Sequence, residues 1–137
     1  MSRPNIETVK RVYALAAAAW ASDVDAEALA QVYHSDVVIE ERPDFPDSDT
    51  YRGYVGLTRW WTAFRDVYDD VRLEPREFIP HDDRVVVRVR QVLRSKGGVA
   101  LEQEVAHVFT VRDERIIHMT GYGDVAQALA IVHAGEG

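Results

Sequence analysis

Two residues of this chain combine reactive chemistry with a placement that costs energy unless it is used. Glu41 ends the run Val37-Val38-Ile39-Glu40-Glu41, in which Val37, Ile39 and Glu41 share one face at period two. His107 lies in the run from Leu101 to Val111. Its alternate residues Leu101, Gln103, Val105, His107, Phe109 and Val111 form the more apolar face, so the imidazole belongs on the core side. A buried carboxylate or imidazole is unfavourable unless it is paired or put to use. Burial raises a carboxyl group toward neutral titration, which would suit Glu41 to act as a general base. An imidazole titrates near neutrality and can polarise a carbonyl or move a proton. Each residue also has a plainer reading. Glu41 can pair with Arg42, Arg52 or Arg90, and His107 can be a core histidine hydrogen-bonded to Glu41, Gln103 or Tyr13.

Around this pair stand candidates for holding a ligand. Gln91 and Gln103 are polar residues on otherwise apolar strand faces, able to orient a ligand oxygen or to satisfy each other. Tyr13, Trp20, Trp60, Phe64, Phe109 and Met119 are candidate walls for a flat or cyclic molecule, although aromatic residues at helical spacing also make ordinary core. Trp60 and its neighbour Trp61 are expected to face different ways, one of them partly exposed or at an interface. No metal site is expected. His34, His81, His118 and His133 are scattered, His118 with Glu102 or Glu104 is the nearest approach to a ligand set, and Asp44, Asp47 and Asp49 lack a calcium-loop pattern.

The elements that would position these residues follow from periodicity and turn signals. Ile6, Val9, Val12, Tyr13, Ala16, Ala17 and Trp20 recur at helical spacing after Pro4, and Ser22-Asp23 ends that helix. Asp25 reads as the cap of a short second helix carrying Ala28, Leu29 and Val32-Tyr33. A strand over 37–41 precedes a loop over 42–53, rich in Pro, Asp and Gly. A third helix covers about 55–68. Strands over about 71–79, 84–94, 99–111 and 115–122 follow, with turns at Asp82-Asp83, Lys96-Gly97-Gly98 and Arg112-Asp113-Glu114. A tail helix runs from about Asp124 to Val132. Segregated helices and strands predict an α+β fold, and a long curved sheet over a long first helix leaves a concavity for a ligand. Arg84, Arg88, Arg90 and Arg94 stripe one strand face, expected to point outward and pair with Glu102 and Glu104. That outer face also mixes in Val86, Val92, Val108 and Ile116, which predicts a homodimer.

The bulk composition narrows the classes. The chain has 137 residues, enough for one domain, 1–137, with one core. It is 47% hydrophobic and 28% charged, as folded proteins are. A net charge of -7 argues against nucleic acid or an anionic membrane as partner. With no cysteine there are no disulfides, thiolate metal ligands or cysteine nucleophiles. The opening residues carry no secretory pattern, so a cytoplasmic location is expected.

Several segments together resemble the SnoaL-like branch of the nuclear-transport-factor-2-like superfamily. They are Val9-Lys10-Arg11-Val12-Tyr13, Ser22-Asp23-Val24-Asp25, Tyr33 to Pro43, Thr50-Tyr51-Arg52-Gly53 and Ala106 to Asp113. The resemblance implies a cone-shaped, curved, antiparallel to mixed sheet wrapped around the first helix, often dimeric through its outer face. Its members include ketosteroid isomerases, limonene epoxide hydrolases, polyketide cyclases and dehydratases, so it implies several chemistries. Glu41 matches the position of the isomerase's general-base aspartate. His107 falls at or next to its proton-donating aspartate. The helix tyrosine's position falls near Ala17, with Tyr13 one turn earlier. The epoxide hydrolase's aspartate–arginine–aspartate set has no match. Its positions fall near Gly121 and on either Val89 and Gln91 or Arg88 and Arg90, according to register.

The resulting expectation is a cofactor-independent enzyme acting on an apolar, cyclic, oxygenated small molecule. Glu41 would remove a proton beside a carbonyl and His107 would stabilise the enolate, in isomerisation, cyclisation or dehydration. The alternatives are a non-catalytic module binding a small molecule or a protein through the same cone, and a hydrolase in which Glu41 activates water.

Overall fold

A computed structural model describes residues 2–21, 26–41 and 49–134, with side chains over 4–18, 27–41 and 49–134. The order is α1 (Ser2–Ala21), α2 (Ala26–Val32), β1 (Tyr33–Glu40), β2 (Thr50–Arg52), α3 (Gly53–Val67), β3 (Tyr68–His81), β4 (Arg84–Ser95), β5 (Ala100–Arg112), β6 (Arg115–Tyr122) and α4 (Val125–Ala134). The six strands form one sheet in the order β2-β1-β6-β5-β4-β3. β1 runs parallel to β6 and every other neighbouring pair is antiparallel, so the sheet is mixed. This is the expected α+β architecture. The reverse turn between β5 and β6 holds Asp113 and Glu114 at φ 54° and 62°, the left-handed pair that a tight hairpin requires. Among the described residues no helix is long and apolar enough to cross a membrane.

The boundaries differ from expectation in two places that matter for the site. β1 starts at Tyr33 and stops at Glu40, so Glu41 stands just past the strand. Within the expected loop, Thr50–Arg52 pair with β1 in the register Val38↔Arg52, Ile39↔Tyr51 and Glu40↔Thr50. The Glu41 N–H donates to the Asp49 carbonyl at 3.1 Å and closes this ladder. The expected helix break at Ser22-Asp23, the Asp25 cap, and Arg42, Asp44 and Asp47 lie outside the described residues.

Two apolar clusters lie on opposite faces of the sheet. On the inner face, Val9, Val12 and Tyr13 of α1 and Leu57 of α3 meet Val37, Ile39, Val85, Val87, Val89, Val105, Phe109 and Ile116. On the outer face, Val125, Ala128 and Val132 of α4 cover Val86, Ala106 and Val108. The expectation of an exposed apolar stripe is therefore corrected for three of its four residues, while Val92 stays half-buried on the outer face opposite Glu102. Val86 and Val108 are buried beneath the chain's own C-terminal helix, and Ile116 belongs to the inner cluster. The remainder of the outer face is the expected charge ladder. Arg90 pairs with Glu102 at 2.7 Å and with Glu74, and Arg88 with Glu77 at 3.2 Å and Glu104 at 3.4 Å. With Arg88 and Arg90 outward, Val89 and Gln91 face inward.

Candidate functional site

The inner face opens into a cavity of about 970 Å³, near the top of the range of about 300–1,000 Å³ usual for small-molecule sites. Each wall follows from the elements above. α1 supplies Tyr13, Ala16 and Ala17, whose small alanines leave room beneath the helix. α3 supplies Trp60, Trp61 and Phe64. β4 and β5 supply Gln91, Leu93, Gln103, Val105 and His107, and β6 supplies Met119 and Gly121. Glu41 and Tyr51 close one side.

His107 and Tyr13 are the buried side chains with polar atoms in this lining. His107 is 8% exposed, and burial pushes its imidazole from 6.5 down to about 4. Its Nδ1 is 2.8 Å from the Tyr13 hydroxyl. Burial raises Tyr13 well above the ordinary tyrosine value, so this hydroxyl keeps its proton. Among the described residues its recorded partner is Nδ1, which therefore accepts. The neutral ring then carries its proton on Nε2, as a donor. The plain structural partner expected for His107 is thus present, and it is Tyr13 rather than Glu41 or Gln103.

Glu41 is half-buried and lines the same cavity. Arg90, one of its expected partners, is engaged on the opposite face of the sheet by Glu74 and Glu102. The residue on which Glu41 acts electrostatically is Tyr51. Burial first, then the charges of Glu41 and Asp49 and a hydrogen-bonding contribution from Glu41, raise Tyr51 above its ordinary value, and Arg59 opposes them. Tyr51 was not foreseen. It sits on a three-residue strand too short to show a period. Gly56 keeps α3 tight against it, since a Cβ there would lie 3.0 Å from the Tyr51 carbonyl carbon.

The other expected wall residues divide. Tyr13, Trp60, Phe64, Gln91, Gln103 and Met119 line the cavity. Phe109 does not. It is 1% exposed and packs edge-on against both Tyr13 and His107, beside a small void of about 40 Å³ behind them. The Trp20 side chain lies outside the described residues. Trp60 and Trp61 are both half-buried, which meets the expected partial exposure, and both line the cavity, so they do not diverge as expected. Successive residues on a helix point roughly 100° apart, and an indole is long enough to reach the opening from either side. Trp60 packs on Phe64 and Trp61 on Tyr33. Trp60 Nε1 is buried with no acceptor among the described residues. His118 pairs with Glu40 at 3.4 Å rather than with Glu102 or Glu104, because β6 lies beside β1 in the register Val38↔His118.

The mouth carries charge that the sequence did not assign to a site. Asp70 and Arg72, paired at 3.3 Å, line it together with Glu40 and Arg65. Among the described residues there is no group of three or more side chains able to hold a metal ion.

Comparisons with known proteins agree with this geometry. A family model described as a SnoaL-like domain matches residues 9–119. No curated protein matches the chain. Among solved structures, the protein TerC crystallised with polyporic acid is 26% identical, with a TM-score of 0.71 over 95% of this chain and 98% of that one. An NTF2-like protein of unknown function from Burkholderia pseudomallei is 20% identical, with a TM-score of 0.75 over 94% and 97%. A protein from Catenulispora acidiphila with a ketosteroid isomerase-like fold, in complex with trimethylamine, is 18% identical, with a TM-score of 0.70 over 90% of each chain.

Proposed function

The chain belongs to the SnoaL-like domain family, and from that premise we propose that its cavity takes an apolar, cyclic, oxygenated small molecule and performs acid/base chemistry on it. The observation that carries this reading is the placement of Glu41 and His107 on one cavity whose other walls are mainly apolar. Glu41 takes a proton from the carbon beside a carbonyl. The electron pair moves onto the carbonyl oxygen, and His107 Nε2–H donates to that oxygen as charge develops. A neutral imidazole suits this role, because the Tyr13 hydroxyl occupies Nδ1, which leaves the ring proton on Nε2, and burial disfavours a second proton. The enolate then regains the proton at another carbon, expels a β-hydroxyl that takes the proton from Glu41 and leaves as water, or attacks a second carbonyl whose oxygen takes that proton. These are isomerisation, dehydration and cyclisation respectively. The bound polyporic acid in the structure of TerC supports a small organic ligand in a cavity of this fold.

The test is Glu41→Gln, which keeps size and hydrogen bonding but removes basicity. In a screen of cyclic ketones, enones and polyketide-like esters, the variant is expected to lose turnover by roughly two to four orders of magnitude with binding retained. Binding by both forms with turnover by neither supports the second reading, a non-catalytic binding module. That reading is favoured by the Tyr13 hydrogen bond, which gives His107 a structural use. The reading also keeps a homodimer through the outer face beyond α4, where Arg88, Arg90, Glu102 and Glu104 lie. Light scattering at micromolar concentration checks it, and a monomer mass removes it.

A further inference from the structure

Taking the cavity as the ligand site, as proposed above, we infer that Gln91 and Gln103 form a second recognition point. It reads a paired hydrogen-bond donor and acceptor at the end of the ligand remote from its reacting carbonyl.

The two glutamines are direct cross-strand partners on β4 and β5, and both line the cavity. Gln103 Nε2 donates to Gln91 Oε1 at 2.9 Å. That single bond orients both amides but uses only part of their capacity. The Gln91 amino group and the Gln103 carbonyl have no other side-chain partner among the described residues. An acceptor and a donor therefore sit side by side on the wall. Exchanging oxygen and nitrogen in both amides keeps one of each, so the complementarity does not depend on that choice.

The surroundings show that this pair is an isolated polar spot. Leu73 is the register partner of Gln91 on β3. Val89 and Leu93 flank Gln91 on the inner face of β4, and Val105 flanks Gln103 on β5; all three are buried. Two polar side chains in such a wall weaken the core unless a ligand or water satisfies them. An apolar ligand end placed against them would strip water from an unpaired carbonyl and amino group. A primary amide, a carboxylic acid or an adjacent hydroxyl and carbonyl would pair with both.

Spacing supplies the second half of the inference. Gln103 and His107 are on the same face of β5, four residues apart, roughly 13 Å at the rise of about 3.3 Å per residue. Between them lies Val105, with the cavity walls Leu73 and Phe64 facing the same space. A molecule engaging both ends is elongated, with an apolar body about two rings long.

Two probes separate the ends. 4-Acetylbiphenyl has the carbonyl and the apolar body, and 4′-acetylbiphenyl-4-carboxamide adds the donor–acceptor edge. Binding is read by quenching of Trp60 and Trp61 and by calorimetry. The carboxamide is expected to bind roughly tenfold more tightly, about what one or two net hydrogen bonds give. Gln103→Leu and Gln91→Leu should each remove most of that preference, with 4-acetylbiphenyl bound more tightly because its apolar end no longer strips water from an amide; circular dichroism shows that the variants are folded. If a leucine variant does not fold, Gln103→Met reads the same loss. Equal affinities in the unaltered protein, no binding of the carboxamide, or a preference that survives both substitutions would overturn the inference. Preference without turnover of any ketone keeps it and removes the catalytic reading; turnover without preference does the reverse.

Discussion

Tyr13 and His107, 94 residues apart in sequence, meet with the tyrosine hydroxyl 2.8 Å from Nδ1. This contact joins the first helix to the sheet and fixes which ring nitrogen faces the cavity. With the buried hydroxyl donating its proton to Nδ1, that nitrogen is the acceptor and Nε2 carries hydrogen.

Nitrogen NMR of the histidine rings at neutral pH is therefore expected to show one histidine with a pyridine-like Nδ1 and a pyrrole-like Nε2. Tyr13→Phe leaves Nδ1 buried without its donor, and should lower stability by about 1–3 kcal/mol. The reverse tautomer would mean that His107 presents an acceptor to the cavity, and the proposed enolate stabilisation would fail.

Acid stability tests the burial of the same ring. His107 titrates at about 4 when folded, against 6.5 in an open chain. The folded value is the lower one, so its contribution is complete above pH 6.5, shrinks as pH falls, and is gone below about pH 4. The loss across that window is about 3 kcal/mol. Urea unfolding at pH 7 and pH 4 should show it, and His107→Asn, which keeps an acceptor for Tyr13, should flatten that part of the profile. An unchanged profile in the variant would place the proton uptake elsewhere.

The outer cluster makes a different claim. Val132 of α4 is fully buried against the sheet. Val132→Ala removes two methyl groups and should cost about 2 kcal/mol. It should also increase binding of a hydrophobic dye, because Val86 and Val108 lie under the same helix. A stability change within a few tenths of a kcal/mol would mean that α4 does not pack there in solution.

These outcomes also show which parts of the molecule can be read from residue order. On β5, period two assigned His107, Val105 and Gln103 inward and Glu102 and Glu104 outward, because a buried face imposes alternation over many residues. The same alternation left β4 ambiguous by one position until the pairing Gln91↔Gln103 set its register. Tyr51 escaped because Thr50–Arg52 is shorter than any period, and its strand exists only through pairing with β1. The burial of Val86 and Val108 escaped for another reason. The tail helix was visible, but a helical pattern says that one face is buried and not which surface buries it.

Glu41 and Tyr51 give a test of the base position that needs no substrate. After burial, the charges of Glu41 and Asp49 and the Glu41 hydrogen-bonding contribution raise Tyr51, and Arg59, with its ring contact at 5.2 Å, opposes them. Glu41→Gln removes the negative charge with the larger effect and leaves Asp49 and the cation, so Tyr51 should ionise at lower pH than in the unaltered protein. Alkaline absorbance titration, compared with a Tyr51→Phe control to identify the signal, reads the shift directly. A downward shift places the carboxylate against the Tyr51 hydroxyl at the cavity wall, where the proposed proton transfer needs it. An unmoved titration would put the carboxylate elsewhere, and the acid/base reading would lose its base whatever the activity screen returned.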